Sequence, residues 1–203
     1  MGQLVSVSEE LLVASARPKN DGYTWTLASR LGHMLRRAKE LYGPRDASYT
    51  VLGIEFCGNV PQLWYPNNCR HVVIQLTTDC MTNPVKALYQ LAHECIHLLA
   101  PSGGQHTNVL EDGLATHFAE CYTREELGVS IPCELESYVK ACALVERLLE
   151  IDPLSVRTLR KTQPAMYLLT AEDIVHVYQE IPRDLAEQLV KPFVRNASSG
   201  CRA

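Results

Sequence analysis

The chain has 203 residues, of which 46% are hydrophobic and 21% are charged, and its formal net charge at pH 7 is −4. This length and composition predict a soluble globular protein with one domain and a substantial core. The lack of a basic excess argues against a nucleic-acid partner, and no apolar run is long enough to cross a bilayer.

Eight cysteines are spread along the chain, and none of them forms a CxxC pair. The first ten residues, Met-Gly-Gln-Leu-Val-Ser-Val-Ser-Glu-Glu, lack the basic start and the long apolar run of a signal peptide. These observations favour free thiols in a reducing environment over a framework of disulfides. We therefore expect a cytoplasmic protein that has no membrane partner.

The first part of the chain predicts one helix and a small sheet. Residues 1–23 show no clear period and are interpreted as a lead-in segment. Apolar residues recur at helical spacing from Trp25 to Tyr42, and Gly43 and Pro44 end that run. Segments rich in β-branched and aromatic residues follow, each bounded by turn-forming residues, at 47–56, 62–65 and 71–77.

The next helix carries the pattern on which the functional interpretation depends. It begins at Asn83 and Pro84, which are residue types preferred at the N-cap and in the first turn. His93 and His97 are four residues apart, so their side chains lie on one face of the helix and can bind the same zinc ion. Glu94 can take the proton of a zinc-bound water that attacks a carbonyl. This His-Glu-x-x-His pattern predicts one zinc ion per chain, with Glu94 as the general base.

The rest of the chain predicts helices. Helical periodicity is found, after a loop at 100–108, in the segments 109–121, 134–150, 153–161, 171–179 and 182–190. The predicted fold class is α+β: a small mixed sheet packs on the helix of His93 and His97 within 24–100, and a mainly helical half follows at 108–195. We assign 1–195 to a single domain and predict a disordered tail at 196–203, where the residues are small and polar.

Two histidines do not complete a catalytic zinc site, which usually has three protein ligands and one open position for water. The candidates for the third ligand are Glu111, Asp112, His106 and His117. His106 lies too far beyond His97 for the spacing His-Glu-x-x-His-x-x-Gly-x-x-His. Glu111 and Asp112 are adjacent on a predicted helix, where neighbouring side chains point about 100° apart. Only one of these two acids is therefore expected to reach the metal.

A resemblance to a known group adds to this interpretation. The segment His93-Glu94-Cys95-Ile96-His97, followed after a loop by Leu110-Glu111-Asp112-Gly113-Leu114-Ala115, resembles the gluzincin metallopeptidases, the thermolysin and aminopeptidase type. In that group a second helix supplies a glutamate ligand within a Glu-Gly-(aromatic or Leu)-Ala motif. The resemblance is confined to this part of the chain. It implies a zincin-like fold and a zinc peptidase whose substrates are peptides or proteins.

The chain departs from the gluzincin pattern at the third ligand. Alignment on Gly113 makes Asp112 the ligand, whereas residue type and reach favour Glu111. We favour Asp112 because Ala115 and Ala119 form a face of small residues beside it, where another helix could pack closely.

The resemblance also suggests which residues could assist the reaction. A His or Tyr of the helical half often donates to the oxyanion in gluzincins, and the candidates here are Tyr167, His176 and Tyr178. His117 is a candidate hydrogen-bond partner for a metal-bound histidine. The alternative hypothesis is a zincin-like domain that binds a metal or a partner without cleaving a substrate. The short chain and the irregular pair of acids at 111–112 favour that alternative.

Overall fold

The computed structural model describes residues 26–68, 70–104 and 107–195. The predicted lead-in segment at 1–23 and the predicted tail at 196–203 lie outside these ranges. The helices are α1 (Leu27–Tyr42), α2 (Pro84–His97), α3 (Val109–Leu127), α4 (Glu136–Ile151), α5 (Ser155–Thr162), α6 (Ala171–Val177) and α7 (Arg183–Leu189). The strands are β1 (Thr50–Phe56), β2 (Gln62–Trp64) and β3 (His71–Leu76), and short 3-10 turns occur at Pro66–Asn68, Thr78–Met81 and Met166–Leu168.

The sheet has the strand order β1-β3-β2, in which β1 runs parallel and β2 antiparallel to β3. The central strand β3 is buried from Val72 to Leu76, as its apolar, β-branched run predicts. Gln75 links all three strands, because its Nε2 donates to Glu55 Oε1 at 2.7 Å and its Oε1 accepts from Gln62 Nε2 at 2.8 Å. These bonds satisfy a buried amide and favour a single register.

The helix α2 follows the sheet through the turn Thr78–Met81 and is buried over most of its length. It begins where the sequence predicts, since Asn83 Oδ1 accepts from the backbone N–H of Lys86 and Pro84 occupies the first turn. The helix α1 packs on α2. The helix α3 packs against both α2 and α4, so α3 joins the sheet half to the helical half.

The contact between α3 and α4 is unusually close at Gly113. A Cβ atom at that position would lie 2.4 Å from the carbonyl oxygen of Ala141 and 2.8 Å from Cγ2 of Val145. Only glycine therefore allows this approach of the two backbones. The contact holds the first turn of α3, which contains Glu111 and Asp112, in a defined position.

Arg160 of α5 bridges the two halves of the molecule through four hydrogen bonds to backbone carbonyls. Its guanidinium donates to Tyr42 and Pro44, each at 2.7 Å, to Pro164 at 3.0 Å and to Leu99 at 3.1 Å. Burial lowers the pKa of Arg160 to about 10, so the side chain stays charged at neutral pH. A side chain from a distant part of the chain thus bonds the last carbonyl of α1 and the segments that follow α1 and α2.

One hydrophobic core includes buried residues from β3 and from every described helix. Within the described ranges, no helix combines the length and the apolar character that crossing a lipid bilayer requires. The six cysteines at 57, 80, 95, 121, 133 and 142 are free thiols.

The predicted α+β class, with a small mixed sheet and a mainly helical second half, is confirmed for the described residues. The largest difference concerns α3, which was predicted over 109–121 and extends to Leu127. The apolar pattern weakens in the last turns because Thr123 is polar and nevertheless buried, with its hydroxyl bonded to the carbonyl of Ala119. The helix ends at Gly128, whose φ of 64° lies in the left-handed region.

Candidate metal centre

Two helices bring three potential metal ligands together. The helix α2 places His93 and His97 one turn apart, with 3.3 Å between their Nε2 atoms. The first turn of α3 places Asp112 Oδ1 at 3.9 Å from each of these nitrogens. Asp112 and His93 are buried, and His97 is partly buried, so the three side chains have little freedom to move apart.

This arrangement fits a tetrahedral zinc ion. Zinc bonds of about 2.0–2.1 Å to nitrogen and oxygen place neighbouring ligand atoms about 3.3 Å apart. The Nε2 atoms already have this separation, and Asp112 Oδ1 would have to approach by about 0.6 Å. His93, His97 and Asp112 are therefore the residues that could hold the ion.

Glu111, the adjacent acid, has a different contact. Its Oε1 lies 2.8 Å from Nδ1 of His97. Nδ1 is the ring nitrogen that does not face Asp112 and His93. A carboxylate in this position accepts the Nδ1 proton, which leaves Nε2 free to bind a metal and holds the ring orientation. Neighbouring residues on a helix point about 100° apart, so the two acids reach different atoms. Asp112 is the potential metal ligand, and Glu111 is the residue that holds His97.

The start of α3 is held by contacts that aim Asp112 at the histidines. Asn108 caps the helix by accepting from the backbone N–H of Glu111 at 3.0 Å, and its own side-chain amide donates to the carbonyl of Met166 at 2.7 Å. The hydroxyl of Thr107 donates to Asp112 Oδ2. Since Oδ2 has this partner, Oδ1 is the oxygen that faces the histidines.

Burial and mutual charge shift the titration of these groups. Burial, together with the neighbouring charge of His97, holds the pKa of His93 well below its usual range. Burial opposes protonation of His97 too, but the hydrogen bond and the charge of Glu111 raise the pKa of His97 to about 10. Burial raises the pKa of Glu94 to about 7 and also raises the pKa of Asp112. A bound cation would favour loss of all these protons.

Glu94 and both histidines line a cleft of about 190 Å³ that also includes Gln62 and Leu63 of β2. In the described part of the chain, β2 is an edge strand of the sheet. A second cavity of about 620 Å³ lies next to the first, since His93 and Tyr138 line both. The metal-ligand candidates thus lie in a cleft that has room for a substrate beside them.

Two residues near the centre were not among the sequence-predicted candidates. Tyr138 of α4 lines both cavities, and its ring centroid lies 5.5 Å from that of His93. Arg195, after α7, lies over the ring of Tyr138 at 6.0 Å. In the sequence, Tyr138 belongs to the apolar stripe of its helix and Arg195 has no local pattern, so no signal identified either residue.

The other predicted site residues lie elsewhere. Tyr167 is in the turn Met166–Leu168 and His176 is exposed on α6, and neither lines the cleft. Tyr178 donates its hydroxyl to Asp152. His117 borders a separate cavity, where its Nδ1 lies 3.5 Å from Glu146 Oε1. His106 lies outside the described residues.

Comparison of the chain with models of protein families, with curated proteins and with solved structures found no match in any of the three. The functional interpretation therefore depends on the chemistry of the site.

Proposed function

We propose that the protein is a zinc-dependent hydrolase, and specifically a small peptidase of the zincin type. The observation that carries this proposal is the triangle formed by the Nε2 atoms of His93 and His97 and Oδ1 of Asp112, whose sides are 3.3, 3.9 and 3.9 Å. Two imidazoles and one carboxylate leave an open position on a tetrahedral zinc ion, as hydrolytic zinc sites require.

A zinc ion at this centre would lower the pKa of a bound water and polarise the scissile carbonyl. Glu94 is the residue that would take the proton of that water and pass it to the leaving amine. In the protein without an ion, burial raises the pKa of Glu94 to about 7. A bound cation would lower this pKa, so Glu94 would be ionised at neutral pH and able to accept the proton.

The oxyanion requires a hydrogen-bond donor in addition to the metal. We assign this role to Tyr138, because it lines the cleft beside His93. Burial raises the pKa of Tyr138 to about 12, so its phenol keeps its proton and remains a donor. This assignment replaces Tyr167 and His176, which do not line the cleft.

A peptide substrate is supported by the position of β2. The edge strand contributes Gln62 and Leu63 to the wall of the cleft, and an exposed strand edge can pair with an extended peptide backbone. The free thiols of the described cysteines suit a reducing compartment such as the cytoplasm.

The test combines metal content with turnover of a peptide library. We expect the wild type and Glu94→Gln to retain zinc at the centre, and His97→Ala to lose that ion. Only the wild type should cleave peptides, and the circular dichroism spectra of all three should agree.

Failure of the catalytic assignment and failure of the metal-site assignment give different experimental results. If the wild type and Glu94→Gln bind zinc equally and neither cleaves any peptide, the protein is a metal-binding module without catalysis. If zinc binding is unaffected by His97→Ala, the centre itself is wrongly assigned.

A further inference from the structure

A second group of metal-ligating side chains lies between α3 and α4, away from the first centre. His117 and Cys121 are four residues apart on α3, and Cys142 and Glu146 are four residues apart on α4. Each pair therefore shares one face of its helix. One ring nitrogen of His117, Sγ of Cys142 and a carboxylate oxygen of Glu146 all lie within 4.8 Å of one another.

The two ring nitrogens of His117 have different partners. Nδ1 lies 3.5 Å from Glu146 Oε1, whereas Nε2 lies 3.6 Å from Cys121 Sγ. Arg124 donates to the same sulfur at 3.1 Å, so this sulfur already accepts one hydrogen bond and can accept a second from an Nε2–H group of His117. An Nε2–H group bonded to Cys121 leaves Nδ1 as the nitrogen available to a metal, in the way that Glu111 supports His97.

The group is also accessible from solvent. His117 and Glu146 border a cavity of about 520 Å³, and the side chain of Glu146 is 52% exposed. An ion can therefore enter, and a water molecule can complete a tetrahedral shell. None of these residues lines the cleft of the first centre.

We propose that His117, Cys142 and Glu146 form a second zinc site that connects α3 to α4. Thiolate together with imidazole favours zinc over magnesium and calcium, which prefer oxygen ligands. The separation of 3.5 Å between Nδ1 and Oε1 is close to the spacing of about 3.3 Å between neighbouring ligand atoms on zinc. The site joins two helices, one of which carries Asp112, so its role is to stabilise their packing.

The ion has to displace the thiol proton of Cys142. Burial raises the pKa of Cys142 to about 12, so this proton is held firmly in the protein without an ion. The test of the second site therefore uses metal in excess.

The test uses cobalt as a probe in the full-length, metal-stripped protein under reducing conditions. A thiolate bound to cobalt gives a charge-transfer absorption in the near ultraviolet, whereas imidazole and carboxylate ligands do not. The first centre has no cysteine ligand, so this band reports only the second site. We expect the band in the wild type and in His97→Ala, together with a rise in the melting temperature of His97→Ala on metal addition.

Two cysteine variants provide the matched comparison. Cys142→Ser should abolish the band, whereas Cys121→Ser should retain it with weaker binding, because Cys121 only orients His117. His117→Ala should also abolish the band, and circular dichroism checks that every variant folds.

Three results would overturn the proposal. The first is the absence of the band at saturating cobalt while the first centre binds the metal. The second is a band that survives Cys142→Ser, which would place the thiolate ligand elsewhere. The third is a band that survives His117→Ala, which would exclude His117 as a ligand. Each result is independent of peptide turnover, so the proposed function and the second site fail separately.

Discussion

Glu111 and Asp112 both carry a carboxylate, and their proposed roles differ because the two side chains leave α3 in different directions. We expect Asp112→Asn to weaken zinc binding more than Glu111→Gln, because the first change removes a charged ligand. Glu111→Gln should weaken binding by about 10–100-fold, the usual effect of losing a supporting hydrogen bond. Competition with a chelating dye measures both affinities. The assignment is reversed if Glu111→Gln proves the more damaging change.

The proton on His97 makes zinc binding depend on pH. The pKa of His97, raised to about 10 by Glu111 against the opposing effect of burial, means that the metal-free protein holds this proton at neutral pH. Zinc must displace it, so the affinity should rise with pH by about tenfold per unit below that pKa. Dye competition between pH 7.5 and 9 measures the slope. Glu111→Gln should flatten it, and an equal slope in that variant would contradict the explanation.

The residues of the centre differ in how far the sequence could predict them. His93, Glu94 and His97 are related by helical spacing alone, so their pattern is visible without any tertiary information. The choice between Asp112 and Glu111 depends on the rotation of α3 about its axis, which is set by packing against α2 and α4. Sequence reasoning singled out these two acids, but it did not consider that the second acid could support His97.

At the scale of the elements, the packing of α3 on α4 depends on Gly113. Gly113→Ala should lower the free energy of unfolding by about 1–3 kcal/mol, because the added carbon meets the backbone of Ala141, which cannot move without shifting α4. The same change should weaken zinc binding, since it displaces the first turn of α3. Urea unfolding and dye competition measure the two effects.

Gly32 provides the matched control. It is exposed on α1, and a Cβ atom built there meets no atom within 4 Å. Gly32→Ala should therefore raise the free energy of unfolding by roughly 0.5–1 kcal/mol, since alanine favours a helix over glycine. Similar changes in both variants would show that helix propensity, and not close packing, controls position 113.

The elements were more predictable than their contacts. Local signals predicted the bounds of α1 and α2 within a few residues. These signals are the apolar periodicity, the cap at Asn83 and the helix end after Tyr42. Small residues in α3 suggested a close helix contact. They could not identify α4 as the partner helix, because the contact of Gly113 is with Ala141, 28 positions further along the chain.

At the scale of the whole molecule, Arg160 joins parts of the chain that are distant in sequence. Arg160→Met keeps much of the side-chain volume and removes all four bonds to carbonyls. We expect the free energy of unfolding to fall by about 2–4 kcal/mol, because two of the four charged hydrogen bonds, those to Tyr42 and Leu99, are buried. Thermal or urea unfolding measures the loss.

Arg183 is the control for this change. Its side chain is 65% exposed and pairs with Glu172 and Glu187 at the surface. Arg183→Met should change the free energy of unfolding by no more than about 0.5 kcal/mol. Equal losses in the two variants would mean that Arg160 contributes no more than a surface charge.

The fold class followed from composition and the order of the elements, whereas the role of Arg160 did not. An arginine in an amphipathic helix resembles an exposed charge, and α5 gives no local sign that this side chain is buried. Tyr138 could not be recognised for the same reason. A tyrosine in an apolar stripe is compatible with core packing and equally with a position beside His93. Both residues acquire their roles from contacts between halves of the chain.

The bonds of Arg160 also set an order for biosynthesis. The carbonyls of Tyr42, Pro44 and Leu99 emerge from the ribosome well before the arginine that satisfies them. The nascent chain therefore presents both histidines of the centre before α2 has its final support. We expect the proposed centre to bind metal late in synthesis, once α5 has emerged and docked.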